Sequence, residues 1–178
     1  MLIGAWAASP AEAAVSQKDL SVIAHKQEQS NWCWAASARM IAVWHQTIGA
    51  FPQCTIVGYT LGGSGCPNST ATDDQVRAAL GVAGKLSGTL VYGGPTIGTI
   101  KAQIDASQPM EFDYAWTKGG KHVVVVTGYY YDTAPTATDP SYVYWKDPAD
   151  GLSKGSSLAK FLSNGDWKAS FYITNIKR

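Results

Sequence analysis

The chain has 178 residues, of which 46% are hydrophobic and 11% aromatic, and this composition suits one domain with a substantial core. Its 14 Lys and Arg residues balance 13 Asp and Glu residues, so no basic stripe indicates a nucleic acid partner and no charge run indicates binding to an anionic membrane. No apolar stretch approaches the roughly 20 residues that a membrane-spanning helix needs. The composition therefore favours a globular protein, which we expect to be a monomer.

Residues 1–15 resemble the end of a secretory signal peptide. They begin with a mostly apolar run, and Ala11-Glu12-Ala13 has the A-x-A form of a cleavage site, although the run lacks a basic start. The alternative is a disordered tail of small residues. We therefore expect a single domain over residues 16–178 and a secreted or periplasmic protein.

A cysteine opens the first helical pattern of the chain. Cys33 precedes an alanine-rich segment, and Gln27 lies six residues before it. Backbone N–H groups in the first turn of a helix lack partners within the helix and carry partial positive charge, which favours the nucleophilic thiolate. We expect Asn31 to cap this helix. The pattern predicts a thiol nucleophile with a nearby amide donor; the alternative is a cysteine buried between Trp32 and Trp34 as a small hydrophobic side chain.

The other two cysteines, Cys54 and Cys66, flank a glycine-rich loop with no helical or strand pattern. A disulfide between them would tie this loop together and leave Cys33 as the free thiol. The alternative is two reduced thiols. A zinc site is disfavoured because two thiolates need two further ligands and no histidine pair lies nearby. We therefore expect no metal ion and no cofactor.

The middle of the chain contains two helical patterns and one strand pattern. Residues 72–75, Thr-Asp-Asp-Gln, have the form of a capping box and begin a short helix that we expect to end at Gly81. Isoleucines at helical spacing predict a second helix over residues 97–105. Apolar and polar residues alternate over residues 110–116, which predicts a half-buried strand.

The three histidines differ in whether they can reach Cys33. A general base must come within roughly 3 Å of the sulfur. His45 lies twelve residues along the same helix, roughly 18 Å away at about 1.5 Å per residue, and is excluded. His25, eight residues upstream, remains a weaker alternative. His122 begins a β-branched run over residues 121–129 that predicts a buried central strand, and it is the expected base.

A third group must orient the imidazole, and four aspartates follow His122 closely enough to consider. Asp132 lies roughly 30 Å along the same strand, at about 3.3 Å per residue, and is excluded. Asp139 sits in a polar loop punctuated by prolines. Asp147 ends the next predicted strand, whose antiparallel pairing would bring its carboxyl to the imidazole. Asp150, in the following turn, is the alternative.

The remaining segments complete a mixed fold. Residues 156–162 predict a short helix and residues 167–174 a closing strand. Because helices come first and antiparallel strands follow, the sequence predicts an α+β fold. In this fold a helical half, which carries the nucleophile helix, packs on a C-terminal antiparallel sheet. The catalytic cleft is expected between the two halves.

The order of Gln27, Cys33, His122 and an aspartate resembles the papain-like cysteine peptidases of clan CA. A narrower resemblance is to compact bacterial members, such as peptidases that process bacteriocin leaders and effector proteases of plant pathogens. It covers about residues 25–175 in architecture. Three short motifs carry it, namely Trp32-Cys33-Trp34-Ala35-Ala36, the run His122 to Tyr129, and Lys146-Asp147-Pro148.

The resemblance implies a role for each matched residue. Cys33 would be the nucleophile, His122 the base and later the acid, and Asp147 the orienting group. Gln27 and the backbone N–H of Cys33 would donate to the oxyanion. Two departures stand out: Lys121, rather than glycine, precedes His122, and Asp147 stands where papain has asparagine, as in many bacterial members.

This resemblance implies hydrolysis of a peptide or protein substrate through a thioester acyl-enzyme. Two other classes stay open: a related acyl-transfer enzyme, such as an isopeptidase, a deamidase or a transglutaminase-like enzyme, and a non-catalytic peptide-binding module. Most tryptophans are expected in the core. We expect Trp116, which precedes the turn before His122, to line the substrate cleft together with Trp34 and Gly120.

Overall fold

The structure is a computed structural model that describes residues 15–46, 51–63, 65–134 and 140–178. Within these ranges the chain forms five helices and seven strands. The helices are α1 (Cys33–Trp44), α2 (Gln53–Thr60), α3 (Asp73–Gly84), α4 (Ile97–Asp105) and α5 (Leu158–Leu162). The strands are β1 (Val15–Asp19), β2 (Ser87–Tyr92), β3 (Met110–Trp116), β4 (Lys121–Asp132), β5 (Ser141–Asp147), β6 (Leu152–Ser157) and β7 (Trp167–Lys177).

Two predictions concern residues outside the described ranges. The expected cleavage site lies before residue 15, and Asp139 lies between residues 134 and 140. Among the described residues, no helix is both long enough and apolar enough to cross a membrane.

All the strands join one antiparallel sheet in the order β2-β7-β3-β4-β5-β6, and β1 continues the line of β3 beside the second half of β4. Helix α1 packs on β4, with the Ser37 hydroxyl donating to the carbonyl of Val123 at 3.3 Å. Four of the five helices precede β3 to β7, and the predicted α+β fold with a helical N-terminal half is confirmed.

The strand that carries His122 is central, as predicted, and is flanked by β3 and β5. Pairing of Val125 with Lys146 leaves Asp147 near the beginning of β4, diagonally opposite His122. The four valines over residues 123–126 are all buried. Burial on both faces fixes the register of β4, because a slip by one residue would exchange its two faces.

The sequence predicted the beginning of helix α3 correctly but not its end. The predicted capping box is present: the Thr72 hydroxyl accepts from the Gln75 N–H, and the Gln75 side chain bonds back to the Thr72 N–H. The predicted end at Gly81 is wrong, since the helix continues to Gly84. Lys85, with a φ of 56°, adopts the left-handed conformation that ends it.

The loop between Cys54 and Cys66 is not irregular as predicted, because α2 occupies most of its first half. Ile56 and Val57 of this helix are fully buried against the core. Tertiary packing of this kind stabilises a helix even where β-branched residues and a glycine lower its intrinsic propensity.

The sheet departs from the prediction in three respects. Strands β1, β2 and β6 were not expected, and β1 and β2 place strands in the helical half of the sequence. Strand β7 does not close the sheet at an edge but lies between β2 and β3. Strand β3 is buried on both faces from Met110 to Tyr114 rather than half-buried, so Glu111 and Asp113 lie inside the protein.

Candidate active site

Cys33 is the first residue of α1, and its side chain is 8% exposed. The residue that caps the helix is Trp32, which makes no capping bond through its side chain. The predicted cap by Asn31 is therefore wrong: its side chain donates instead to the carbonyl of Asn68 at 3.0 Å. The N-terminal amides of α1 thus carry no side-chain cap beside the sulfur.

The segment that follows Cys66 contacts the first turn of α1. Cys54 and Cys66 are bonded, and the residues directly after Cys66 contact the nucleophile turn. The indole N–H groups of Trp32 and Trp34 donate to the carbonyls of Pro67 and Ser69, at 2.9 and 3.3 Å. Position and orientation of the thiol therefore depend on a segment anchored by the disulfide.

His122 lies between a carboxylate and the sulfur. Its Nε2 bonds to Asp147 Oδ1 at 2.7 Å, and a second side-chain hydrogen bond joins the ring to Cys33. Because Nε2 faces Asp147, Nδ1 is the nitrogen that faces Cys33. Tyr114 packs edge-on against the imidazole, with ring centroids 5.3 Å apart. The structure therefore brings together the three side chains that the sequence selected.

The charge state of the pair follows from these contacts. Burial lowers the pKa of His122, but hydrogen bonds and negative charge from Asp147 and Cys33 outweigh it and raise the pKa to about 9. Burial raises the pKa of Asp147, but the bonds from His122 and Lys154 dominate and hold it well below its ordinary range. At neutral pH the imidazole is a cation and the carboxyl an anion.

Asp147 is held by more than the imidazole. Lys154 donates through Nζ to Oδ2 at 2.8 Å, and the N–H of Ala149 donates to Oδ1 at 2.9 Å. The sequence analysis did not identify Lys154. The pairing of β5 with β6 would have revealed it. In this hairpin Asp147 pairs with Leu152, and Lys154 is therefore the diagonal neighbour of Asp147.

Gln27 lies in the loop before α1, and its amide is turned toward that loop. Nε2 donates to the carbonyls of Gln29 and Ser30, at 2.8 and 2.7 Å, while Oε1 is buried without a partner among the described residues. The N–H of Gln27 donates to the carbonyl of Pro148 at 2.8 Å, next to Asp147. The amide donors are therefore engaged by backbone carbonyls in this structure.

The alternative histidines and aspartates have other surroundings. His45 caps the opposite end of α1, and His25 lies near Arg39. Burial lowers the pKa of both imidazoles. Asp132 pairs with Val15 at the far end of β4. Asp150 accepts from the N–H of Leu152 and pairs with Lys154 at 2.8 Å.

Two cavities meet at His122. The first, about 220 Å³, is lined by Cys33 and His122 together with the predicted cleft residues Trp34 and Gly120. The second, about 300 Å³, lies on the other side of the imidazole and has aromatic walls; Trp116, which is 38% exposed, lines it beside Asp147. The cysteine cavity and the aromatic cavity therefore flank the imidazole.

Two buried carboxyls lie near Cys33, on the polar face of the strand that was predicted to be half-buried. Glu111 and Asp113 face the same side of the sheet as their partners Val125 and Val123. Burial, with the charges of Cys33 and Asp113 nearby, raises the pKa of Glu111 well above its ordinary range. Alternation alone could not reveal this, because it does not show that α1 covers the polar face.

The chain is similar to known proteins in sequence and in fold. The sequence family described as "Papain-like cysteine protease AvrRpt2" matches residues 14–166. No curated protein matches the chain. Among solved structures, the fold is similar to that of UfSP from C. elegans, with a TM-score of 0.57 and 13% sequence identity. That similarity covers 91% of this chain but only 34% of the UfSP chain, so this chain spans about a third of its length.

The family match covers most of the sequence, including Cys33, His122 and Asp147. The predicted relationship to papain-like cysteine peptidases is confirmed, and the similarity to UfSP supports the fold. The chain belongs to the family described as "Papain-like cysteine protease AvrRpt2".

Proposed function

We propose that this peptidase cleaves peptide bonds through a Cys33–His122–Asp147 triad and a thioester acyl-enzyme. The observation that supports this most directly is the position of His122, which bonds to Asp147 through Nε2 and to Cys33 on its other side. A nucleophile beside a base, with the base oriented by a third group, is the arrangement that covalent acyl transfer needs.

In the first half of the reaction, the thiolate of Cys33 attacks the carbonyl carbon of the scissile bond. A sulfur–carbon bond forms and the π electron pair moves to the oxygen. The tetrahedral species collapses when the carbon–nitrogen bond breaks, and His122 gives its Nδ1 proton to the leaving amine. The product is an acyl-thioester on Cys33 and a neutral imidazole.

In the second half, the neutral imidazole of His122 takes a proton from water, and the resulting hydroxide attacks the thioester carbonyl. The carbon–sulfur bond then breaks, the carboxylic acid product leaves, and the thiolate–imidazolium pair is restored. Asp147 accepts a hydrogen bond from Nε2 throughout, which keeps Nδ1 pointed at the sulfur.

Two donors are proposed for the oxyanion. One is the backbone N–H of Cys33 at the beginning of α1, and the other is the side-chain amide of Gln27. Because Gln27 Nε2 is bonded to two loop carbonyls, the amide has to exchange at least one of these bonds for the substrate oxygen. Such tightening of contacts on substrate binding is common in enzymes.

The test is selective alkylation by iodoacetamide at about pH 5.5, read by intact mass, because a thiolate reacts at a pH where an ordinary thiol does not. We expect Cys33 to label much faster than a cysteine in an unstructured peptide, and His122→Ala to lose this advantage. Equal rates for the protein and the peptide would contradict the proposal. Cys54 and Cys66 are bonded to each other and serve as an internal control.

The same acyl-enzyme would also serve an isopeptidase, a deamidase or a transglutaminase-like enzyme. Mass analysis of the products separates them. Hydrolysis gives two peptides and the addition of water across a backbone bond, deamidation leaves the peptide uncut, and transfer joins the acyl group to a second amine. We propose backbone hydrolysis because it requires no group beyond those already described.

We also propose that the protein acts outside the cytoplasm and as a monomer. The disulfide supports export, since such bonds persist in oxidising compartments. The monomer is supported by the origin of Cys33, His122 and Asp147 in one chain. Mass spectrometry of the secreted protein tests export, and light scattering tests the oligomeric state.

A further inference from the structure

We infer that Asp113, which lines the cysteine cavity, selects substrates with a lysine or arginine side chain at the position that enters this cavity. The inference deepens the proposed function and rests on it for the assignment of the cavity to substrate. Asp113 lies on β3 opposite Val123 and is 1% exposed, yet it shares the cavity wall with Cys33 and His122.

One oxygen of Asp113 lacks a donor. Oδ1 is buried and has no hydrogen-bond partner among the residues that the structure describes. The Nζ of Lys121 lies 4.0 Å from Oδ1, which is close enough for an ion pair but beyond hydrogen-bond distance. A buried acceptor without a donor is unfavourable, so a donor brought by a ligand would bind there with a net gain.

Lys121 does not neutralise Asp113 because it is engaged elsewhere. Its Nζ bonds to Asp73 Oδ1 at 2.6 Å, and it lies 5.3 Å from the centre of the Phe171 ring. Asp73 begins α3, so this ion pair joins the helical half to β4 beside the cavity. With both carboxyls ionised, Asp73, Asp113 and Lys121 together carry one net negative charge.

The shape and lining of the cavity suit a long side chain with a charged end. Trp34, Ala71, Val76 and Val123 supply apolar wall, and the volume is about 220 Å³. Lysine and arginine have aliphatic stems that pack on apolar surface and a head that donates hydrogen bonds. A carboxylate in the substrate would instead meet Asp113 at close range and be rejected.

Asp113 differs in this respect from the carboxyl next to it in the strand pattern. Glu111 is also buried, but it is absent from the cavity wall, and both of its oxygens lack partners among the described residues. Burial raises the pKa of Asp113, and because Ser170 and Lys121 partly offset this effect the net value is about 6, whereas the pKa of Glu111 is raised well above its ordinary range. Asp113 is therefore the carboxyl that can meet a substrate as an anion.

The experiment uses internally quenched peptide pools at pH 7.5, in which lysine, arginine, norleucine or glutamate is fixed in turn at each position near the scissile bond. Norleucine keeps the aliphatic stem and lacks the charge. At one position we expect kcat/KM for lysine or arginine to exceed that for norleucine by about tenfold to a hundredfold. Equal cleavage of the lysine, arginine and norleucine pools at every position would overturn the inference.

Asp113→Asn keeps the shape of the side chain and removes its charge, and we expect it to reduce the lysine to norleucine ratio to within about threefold of one while norleucine peptides are still cleaved. Asp74→Asn removes an exposed charge on α3 and is the matched control, with an unchanged ratio. An unchanged ratio in Asp113→Asn would overturn the inference.

Binding of the same pools to Cys33→Ala separates this inference from the proposed function. Tighter binding of lysine than norleucine pools, lost in the Cys33→Ala, Asp113→Asn double variant, supports selection by Asp113 even if the wild-type protein cleaves nothing. In that case hydrolysis fails as the function and the selectivity of the cavity stands. Equal binding of all pools overturns the inference whatever the activity.

Discussion

The two sides of the His122 ring differ in how completely their polar groups are bonded. On the Asp147 side, the carboxylate accepts from His122, Lys154 and the Ala149 N–H. On the Cys33 side, Asp113 and Glu111 keep oxygens that lack partners among the described residues. The bonded side fixes the direction of the imidazole. The partly unbonded side is where we propose that a substrate binds, so orientation of the imidazole and the proposed recognition lie on opposite sides of one ring.

Removal of the Cys33 sulfur is expected to cause the largest loss of activity. We expect Cys33→Ala to lower kcat/KM by at least about a thousandfold, because it removes the proposed nucleophile of the acyl-enzyme. The substitution removes one atom, and we expect the melting temperature to stay close to that of the wild type. Residual cleavage at the wild-type rate would show that the thiol is not the nucleophile.

Asp147→Ala tests the bonded side, where we expect activity and stability to fall together. Activity should drop by about a hundredfold because the imidazole loses its orientation. The free energy of unfolding should fall by about 1–3 kcal/mol because donors at His122 and Lys154 lose their acceptor. Urea denaturation and kcat/KM measure the two effects. Asp150→Ala, which removes another acceptor of Lys154, is the control, and equal losses in the two variants would contradict the comparison.

The dependence of activity on pH tests whether Asp147 and Cys33 keep His122 protonated. The pKa of His122, raised to about 9, means that the cation persists through neutral pH and is lost above that value. We expect activity to be about tenfold lower at pH 10 than at pH 8. The contribution of this cation to stability is complete below its ordinary pKa of about 6.5 and disappears as the pH rises toward 9. A profile that declines already above pH 7 would contradict this.

Lys154→Met tests a residue that acts through Asp147. Without its hydrogen bond to Oδ2 the carboxylate can rotate, and we expect kcat to fall by about threefold to tenfold with little change in KM. The pKa of His122, followed by NMR, should rise, because a positive charge beside the Asp147 carboxylate is lost; a purely structural role would not produce this rise. Lys160→Met, which removes an exposed lysine from α5, is the charge-matched control and should leave both quantities unchanged.

The smallest effect concerns selectivity on the Cys33 side. Burial and the charge of Asp73 raise the pKa of Asp113, whereas Ser170, Lys121 and His122 lower it, and the net value is about 6. Burial raises the pKa of Glu111, the other nearby carboxyl, well above its ordinary range. We expect the preference for lysine over norleucine to grow severalfold between about pH 5 and 7, as Asp113 ionises. A preference that is constant over this range would exclude Asp113 as its source.

The parts of the site that follow from local pattern were predicted from the sequence. The β-branched run after His122 predicts a central strand, and antiparallel pairing then predicts its meeting with Asp147. Cys33 was recognisable from the alanine-rich helix that follows it. These inferences needed only the periodicity of each element and the direction of one neighbouring strand.

The rest depends on contacts between distant parts of the chain. Strand β1 has alternating exposure and pairs with β4 over a hundred residues away, and β7 inserts between β2 and β3. The burial of Asp113 requires α1 to cover one face of β3, which the pattern of β3 itself does not show. Helix α2 forms because its side chains reach the core, and not because its residues favour a helix.

The three cysteines have opposite redox requirements, because Cys54 and Cys66 must be oxidised whereas Cys33 must be reduced. The segment after Cys66 holds the indoles of Trp32 and Trp34, so cleavage of the disulfide by a reductant would loosen the turn that presents the thiol. Cys33 itself must stay reduced to attack a carbonyl. The proposed activity therefore requires a redox potential that keeps Cys54 and Cys66 oxidised and leaves Cys33 reduced.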